Sequence, residues 1–397
     1  MNRSSDPGHF FETDAFKATR ARKASKSANK NGDPIVLQSK ILHVISDPFS
    51  SQHVFVAESA GCARRINIKN KKTTKVYRGP SAPLTSVAIG CANNSILFGA
   101  CWDKKIWSWD RENGVTSKTY IGHHDFVKSI ITTNLDGKNI LISGGADGKI
   151  IIWDTATGLR LYTLQDVQNN MLSLQDLAID PYASTGSQVI LFSASSDPVI
   201  RQWCLGSVTG KQKVNGTVDP NTTKAKTIKD NIHEHETSVY RILFSGDDED
   251  SNLWTASADG TAKCLSRMRN WATEEVYEHG DYVNAIEISQ DFVITAGRDE
   301  DVKLWNRNTG TLCHVYEGHF DQVTGLILAE GGKIVVSVSI DGTVRCWPLE
   351  KEDLEKEIEK KNANLHGALE EDAVNKPKIH MTAEEIAELA ELMETDE

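Results

Sequence analysis

The stretch Ile140-Leu141-Ile142-Ser143 is largely apolar, Gly144 to Lys149 is small or polar, and Ile150-Ile151-Ile152-Trp153 is apolar again. Two short apolar runs joined by an Asp-Gly pair predict a β-hairpin, because Asp and Gly accept the left-handed backbone that a tight turn needs. Trp153 stands six residues after the turn residue Asp147, and the same offset joins Asp103 to Trp109, Asp197 to Trp203, Asp259 to Leu265, Asp299 to Trp305 and Asp341 to Trp347. A degenerate seventh copy runs from Gly61 to Asn67. Anchors at 67, 109, 153, 203, 265, 305 and 347 are 42, 44, 50, 62, 40 and 42 residues apart, close to what four short strands and their turns occupy. The pattern predicts an all-β chain of seven repeats. The two long intervals hold insertions, and one of them, residues 206–231, is rich in Gly, Asn, Thr and Lys and reads as a surface loop.

Two further positions recur. A histidine stands four residues before an apolar strand start in His123-to-Val127, His235-to-Val239, His279-to-Val283 and His319-to-Val323. A small hydroxyl residue stands four before the turn Asp at Ser143, Ser193, Thr255, Thr295 and Ser337. Together these positions resemble the WD40 family, over about residues 35–349 and most strongly in the repeats anchored at Trp153, Trp305 and Trp347. The resemblance implies a seven-bladed β-propeller in which His123, Ser143, Asp147 and Trp153 form a structural tetrad. It implies the same for His279, Thr295, Asp299 and Trp305, and for His319, Ser337, Asp341 and Trp347. Departures mark individual blades: the first lacks Asp, hydroxyl and Trp, the second has Gly99 and Pro80 in place of hydroxyl and His, the fourth lacks the His, and the fifth has Leu265 for Trp. Blades one and two are therefore expected to be less internally bonded.

The last repeat ends at Trp347-Pro348-Leu349 and runs into a charged helical pattern, so it supplies no fourth strand. An open sheet edge templates aggregation. Pro34-Ile35-Val36-Leu37-Gln38 is the candidate that closes the ring, as N-terminal strands do in this family. The expected organisation is a disordered basic tail at 1–33, a propeller at 34–349 and an acidic helical tail at 350–397.

Charge follows that division. Net charge is −11 over 397 residues; residues 350–397 hold 16 Asp/Glu against 6 Lys/Arg (net −10), and residues 1–33 hold 7 Lys/Arg against 4 Asp/Glu (net +3), which leaves −4 between them. A core of that sign disfavours direct nucleic-acid binding, which needs a positive footprint to release counterions. No run approaches the roughly 20 apolar residues of a membrane span, and the start of the chain has no apolar signal segment, so nucleus or cytoplasm is expected. Seven scattered cysteines without a Cys-x-x-Cys pair point to free thiols and to no metal.

His, Ser and Asp together also suggest a nucleophilic triad. Catalysis needs one activated nucleophile, whereas here equivalent sets stand on several blades. A buried turn Asp needs donors, and imidazole, hydroxyl and indole supply them. No enzyme activity, no catalytic residue and no cofactor is therefore expected; the function is to bind other proteins as a scaffold or adaptor of an intracellular complex. A nuclear chromatin or RNA-protein (ribosome biogenesis) assembly factor is the alternative that the basic N-terminal segment favours. A ubiquitin-ligase substrate receptor is a further one, disfavoured because the Trp153-Asp154-Thr155-Ala156 ending lacks the later Arg of propellers that join cullin-4 ligases. Homo-oligomerisation has no signature in the sequence.

Partner-binding candidates follow from the residue before each turn Asp, where Trp102 and Arg298 are bulky among Ala146, Ser196, Ala258 and Ile340. Phe126 and Tyr282, just before strand starts, join them, since aromatics and Arg dominate interface hot spots. In the acidic tail, Thr382 and Glu385 form a capping box, and Ile386, Leu389 and Met393 share a helical face that could dock in a groove. Arg22-Lys23-Ala24-Ser25 has the pattern of a basophilic kinase site inside a stretch that could serve as a nuclear signal. Deleting residues 1–38 is expected to lower the melting temperature sharply by removing the closing strand; differential scanning calorimetry checks this.

Overall fold

Short runs rich in Val, Ile, Thr and aromatics, broken every five to nine residues by Gly, Asp or Asn, cannot sustain helices and pair instead as antiparallel meanders. The computed structural model describes residues 14–166, 170–206, 231–246 and 248–359, and shows seven antiparallel sheets. Blades one to six take residues 41–77, 84–121, 127–164, 174–206, 239–278 and 283–317. Blade seven combines 323–348 with Ile35–Val36, so the chain's two ends share one sheet. The protein is thus a seven-bladed β-propeller. By its internal contacts the chain divides into two units, Met1–Leu349 and Glu350–Glu397; in the second, residues 351–359 form an α-helix.

Closure is by the expected segment, with Ile35 opposite Val344 and Val36 opposite Thr343. The approach to that strand is also held: Cys346 N–H donates to Gly32 O at 2.8 Å and Leu37 N–H to Gly342 O at 2.8 Å. Gly32 has φ +66°, and a side chain there would strike the Trp347 ring at 2.6 Å, so this crossing of the last blade requires glycine.

Packing between blades follows a single rule. In six blades a residue on the outer strand, and in blade four Ile232, which pairs with Ile200 by an isolated bridge, lies opposite the third residue after the turn and meets the anchor of the following blade. Tyr77 packs on Trp109 (6.2 Å between ring centroids), Tyr120 on Trp153 (5.8 Å), Tyr277 on Trp305 (5.8 Å) and Tyr316 on Trp347 (5.0 Å). Leu164 shares a cluster with Trp203. Where the anchor is aliphatic the incoming residue is too: Ile232 shares a cluster with Leu265, and Ile35 with Ile66. Ile35 therefore closes the ring twice, through its backbone and through its side chain.

Three expectations are corrected. The first anchor is Ile66, one residue before position 67. The irregularity that precedes the anchor in blades three, five and six falls between Arg65 and Ile66, and Gly61 (φ +75°) matches Gly148 (φ +67°), which follows its turn Asp. Asn67 is instead the counterpart of Asp154, Asp110 and Asn306. Each of these side chains accepts two backbone N–H groups of the next turn, from Lys69 and Asn70 in the case of Asn67.

The second concerns the basic tail. Part of it is not disordered: Asp14–Ser27 is an α-helix, here α1, built largely of Ala, Lys and Arg, which are strong helix formers, with carboxylates of the propeller to hold it. Residues 1–13 lie outside the described ones.

The third concerns blades one and two, expected to be less internally bonded: they lack the tetrad but carry other bonds in its place. Glu58, 1% exposed, accepts from Arg64 Nε at 2.6 Å and Ser39 Oγ at 2.5 Å. In blade two, Asp103 accepts from Trp107 Nε1 at 2.9 Å, and Trp109 Nε1 donates to Arg78 O at 2.8 Å. Gly99 stands in the hydroxyl position because a Cβ there would meet the Trp109 ring at 2.9 Å.

Removal of one joint should cost what the loss of a large buried side chain costs. Tyr277→Ala is expected to destabilise the protein by about 3–5 kcal/mol and Ile35→Ala by about 2–4 kcal/mol, read from guanidinium denaturation midpoints.

Candidate partner-binding face

In blade three Trp153 Nε1 donates to Ser143 Oγ (2.8 Å), Ser143 Oγ pairs with His123 Nε2 (2.8 Å), and His123 Nδ1 meets Asp147 at 3.1 Å. A neutral imidazole satisfies this relay, accepting from the hydroxyl and donating to the carboxylate. Blade seven repeats it with Trp347, Ser337, His319 and Asp341 (2.8, 2.7 and 2.9 Å). Blade six turns the ring over, so that His279 Nδ1 faces Thr295 (2.9 Å) and Nε2 faces Asp299 (3.0 Å), while Trp305 donates to Thr295 (2.8 Å). Blade five keeps His235, Thr255 and Asp259 without the indole. In blade four Arg201, fully buried, takes the place of the imidazole and binds Asp197, Ser195 and Asp166.

Burial alone would raise these carboxyls. The hydrogen bond and charge of His279, followed by those of Lys303, outweigh it at Asp299 and hold that group at about 2. Asp147, Asp259 and Asp341 are lowered in the same way by their histidines, and Asp197 by Arg201. The hydroxyls are buried and face an indole, an imidazole or both. These groups hold strands together.

The same turns build a rim. On all seven blades the residue before the turn position donates its N–H to the carbonyl of the residue before the first strand, at 2.7–3.1 Å. The pairs are Ser59–Lys40, Trp102–Pro83, Ala146–Phe126, Ser196–Ser173, Ala258–Ser238, Arg298–Tyr282 and Ile340–Gln322. Fourteen equivalent positions thus face one end of the ring. From Ala146 to Ala258 they carry only Ala and Ser, a low sector across blades four and five.

Aromatic pairs bound that sector. Trp102 stacks on Phe126 across the joint between blades two and three, with centroids 5.0 Å apart and planes 15° apart, and the two are 42% and 38% exposed. On the other side the Arg298 guanidinium lies 5.1 Å over the Tyr282 ring, which is 41% exposed. The structure therefore joins Trp102 to Phe126 and Arg298 to Tyr282, and sets the two pairs on different blades of one rim. Ile386, Leu389 and Met393 lie outside the described residues.

Sequence reasoning missed the central channel, because its residues come singly from different repeats. A cavity of about 350 Å³ opens among the first strands of blades one to five. Arg241 reaches Asp176 at 3.5 Å and lies 3.2 Å from His43, while Asp176 also accepts from Ser129 Oγ (3.1 Å) and Ile242 N (3.0 Å). Burial, then the Arg241 charge, pushes His43 down to about 3; burial pushes Glu287 up to about 7. Among the described residues no cluster of His, Cys, Asp or Glu is arranged to hold a metal, and no helix is long and apolar enough to cross a membrane.

A family model described as WD domain, G-beta repeat matches residues 114–154 and 310–348, the repeats of Trp153 and Trp347 with complete tetrads. The chain is similar to an uncharacterized WD repeat-containing protein of Schizosaccharomyces pombe, 29% identical, with 98% of this chain and 99% of the other covered. It is also similar to the nuclear distribution protein nudF of Aspergillus niger, 25% identical over 62% of this chain and 54% of that one. Cilia- and flagella-associated protein 52 of Homo sapiens is 24% identical over 63% of this chain and 43% of its own length.

The lowered carboxyls set the acid sensitivity. A carboxyl held below its ordinary value near 3.8 contributes stability that is complete above that value and is lost as pH falls toward the folded-state value. Denaturation midpoints should therefore fall between pH 4 and pH 2, and Asp299→Asn should flatten that slope while lowering stability at pH 7; guanidinium titrations at each pH measure both.

Proposed function

We propose that this seven-bladed β-propeller, two of whose repeats match the WD domain model, works as a non-enzymatic scaffold that holds a partner protein on the rim between Trp102–Phe126 and Arg298–Tyr282. Propellers of this kind generally act as interaction scaffolds, so the reading turns on where this one presents adhesive groups. The single observation that carries it is the asymmetry of the rim: equivalent positions hold Ala and Ser over blades four and five, with the stacked Trp102–Phe126 pair on one side and Arg298 over Tyr282 on the other.

Aromatic and guanidinium groups fit that task physically. They bury large area at small cost in side-chain entropy, and here their neighbours already hold them in place, which reduces what binding must order. Trp102 and Arg298 also owe little to the fold, since each is anchored by its backbone while its side chain lies outward. Buried Cys62, Cys101 and Cys264, spread over separate strands as thiols, fit a reducing intracellular setting for this scaffold.

The double variant Trp102→Ala/Arg298→Ala is expected to weaken partner capture by tenfold or more, the ~1.4 kcal/mol that a tenfold change represents, with the melting temperature within a few degrees of the parent. Quantitative pull-down from a native extract, with both proteins at equal loading, checks it. Recovery of the same partners at the same yield would place binding elsewhere.

A further inference from the structure

We propose that Ser25 is the acceptor of a basophilic protein kinase, and that its phosphate releases α1 from a carboxylate notch between blades six and seven. The helix has no apolar stripe; its sequence, Asp14 to Ser27, is Ala, Lys, Arg and Ser with one Asp, one Thr and one Phe. Charge therefore carries its attachment: Arg22 Nη2 lies 2.7 Å and Lys26 Nζ 2.8 Å from the two oxygens of Glu300, and Lys23 Nζ lies 2.7 Å from Asp321. All three cations stand within three residues of Ser25, which is exposed.

The notch is built for this contact. Glu300 follows the turn Asp299 at φ +75°, a conformation that Gly148, Gly260 and Gly342 supply at the matching place in other blades. A carboxylate here, its side chain 5% exposed, replaces the residue that the turn prefers. Asp299, Asp301 and Glu317 add to the local negative potential, and Asp301 is pushed up to about 6 by burial and by Asp299.

Modification at Ser25 opposes the attachment in three ways. Arg22 and Ser25 are helical neighbours at i and i+3, so the phosphate competes with Glu300 for Arg22. Ser25 lies in the last turn of α1, where added negative charge meets the negative end of the helix dipole. The phosphate also repels Glu300 and Asp321 across the interface. The residues that follow have their own anchors, since Arg345 Nη2 donates to Asn29 O at 3.3 Å and Asn31 Nδ2 to Glu317 O at 3.1 Å. The helix can therefore leave while the closing strand stays.

In the step itself the kinase transfers the γ-phosphoryl group of Mg-ATP to Ser25 Oγ. The bond from phosphorus to the β,γ-bridging oxygen breaks, the bond to Oγ forms, the hydroxyl proton passes to the kinase's base, and ADP leaves. Arg at −3 and Lys at −2 supply the cations that such kinases read, and a helix end without apolar burial unwinds readily into the extended form they bind. Release uncovers Glu300, two residues from Arg298, so the phosphate would also govern access to this side of the rim. That last consequence rests on the reading of the preceding subsection; phosphorylation and release do not.

The full chain, incubated with Mg-ATP and the catalytic subunit of cyclic-AMP-dependent protein kinase, tests this by peptide mass mapping and hydrogen exchange. Phosphate is expected on Ser25, with amide exchange in residues 17–27 rising roughly tenfold and exchange at Ile35–Val36 unchanged. Ser25→Ala should abolish both effects, and unphosphorylated Glu300→Gln should show the faster exchange by itself. A chain phosphorylated elsewhere but not on Ser25 would overturn the proposal, and so would a Ser25-phosphorylated chain whose helix exchanges at the parent rate.

Discussion

Everything in this molecule depends on the joint between consecutive blades, where one outer-strand side chain meets the anchor of the next blade. A single four-stranded sheet has two apolar faces and cannot bury both alone. Stacking seven around an axis buries them all, provided that the seventh meets the first. Tyr on Trp, Leu beside Trp and Ile beside Leu or Ile are seven solutions to one packing problem. Four joints match ring with ring, two match branched chain with branched chain, and one sets Leu164 beside Trp203. Ile35 and Ile66 make the junction between the two ends aliphatic, which suits a two-residue strand that brings no large ring.

The hydrogen-bonded sets act within blades rather than between them. Indole, hydroxyl, imidazole and carboxylate tie the third strand, second strand, entry loop and turn of a blade together, with donors and acceptors matched. Their variation shows that the constraint is satisfaction of a buried carboxylate and not the identity of its donor. Arg201 serves in blade four and Trp107 in blade two, while in blade one Arg64 and Ser39 answer to Glu58. Because these groups hold the turns still, the residues beside the turns are free to differ, and the rim can carry Trp102 and Arg298 on a scaffold that does not depend on them.

The two ends of the rim are unlike in physical character. Near Trp102 and Phe126 contact would be apolar and insensitive to salt. Near Arg298 the acidic notch of Glu300 and Asp321 lies under a basic helix of the same chain, and its contacts weaken as salt screens them.

How much of this was legible from residues alone follows from the range of the forces. Repeat number and hairpin turns rest on short-range pattern, on alternation of apolar runs and on turn chemistry, which neighbouring residues decide; the tetrads of His123, His279 and His319 and the closing segment around Ile35 followed from the family resemblance that this pattern carries. The rim candidates were legible for the same reason, since bulky residues interrupt an otherwise small series. Tertiary structure alone decided the anchor Ile66, because the register shift that marks it exists only once strands pair. It alone decided the joints, where partners lie on different repeats and no spacing links them, and the channel group of Arg241, Asp176 and His43, which come from three blades. The helix at Asp14–Ser27 is the clearest case. Its composition is that of a solvated segment, and carboxylates more than 270 residues away, brought beside it by ring closure, give it a place to rest.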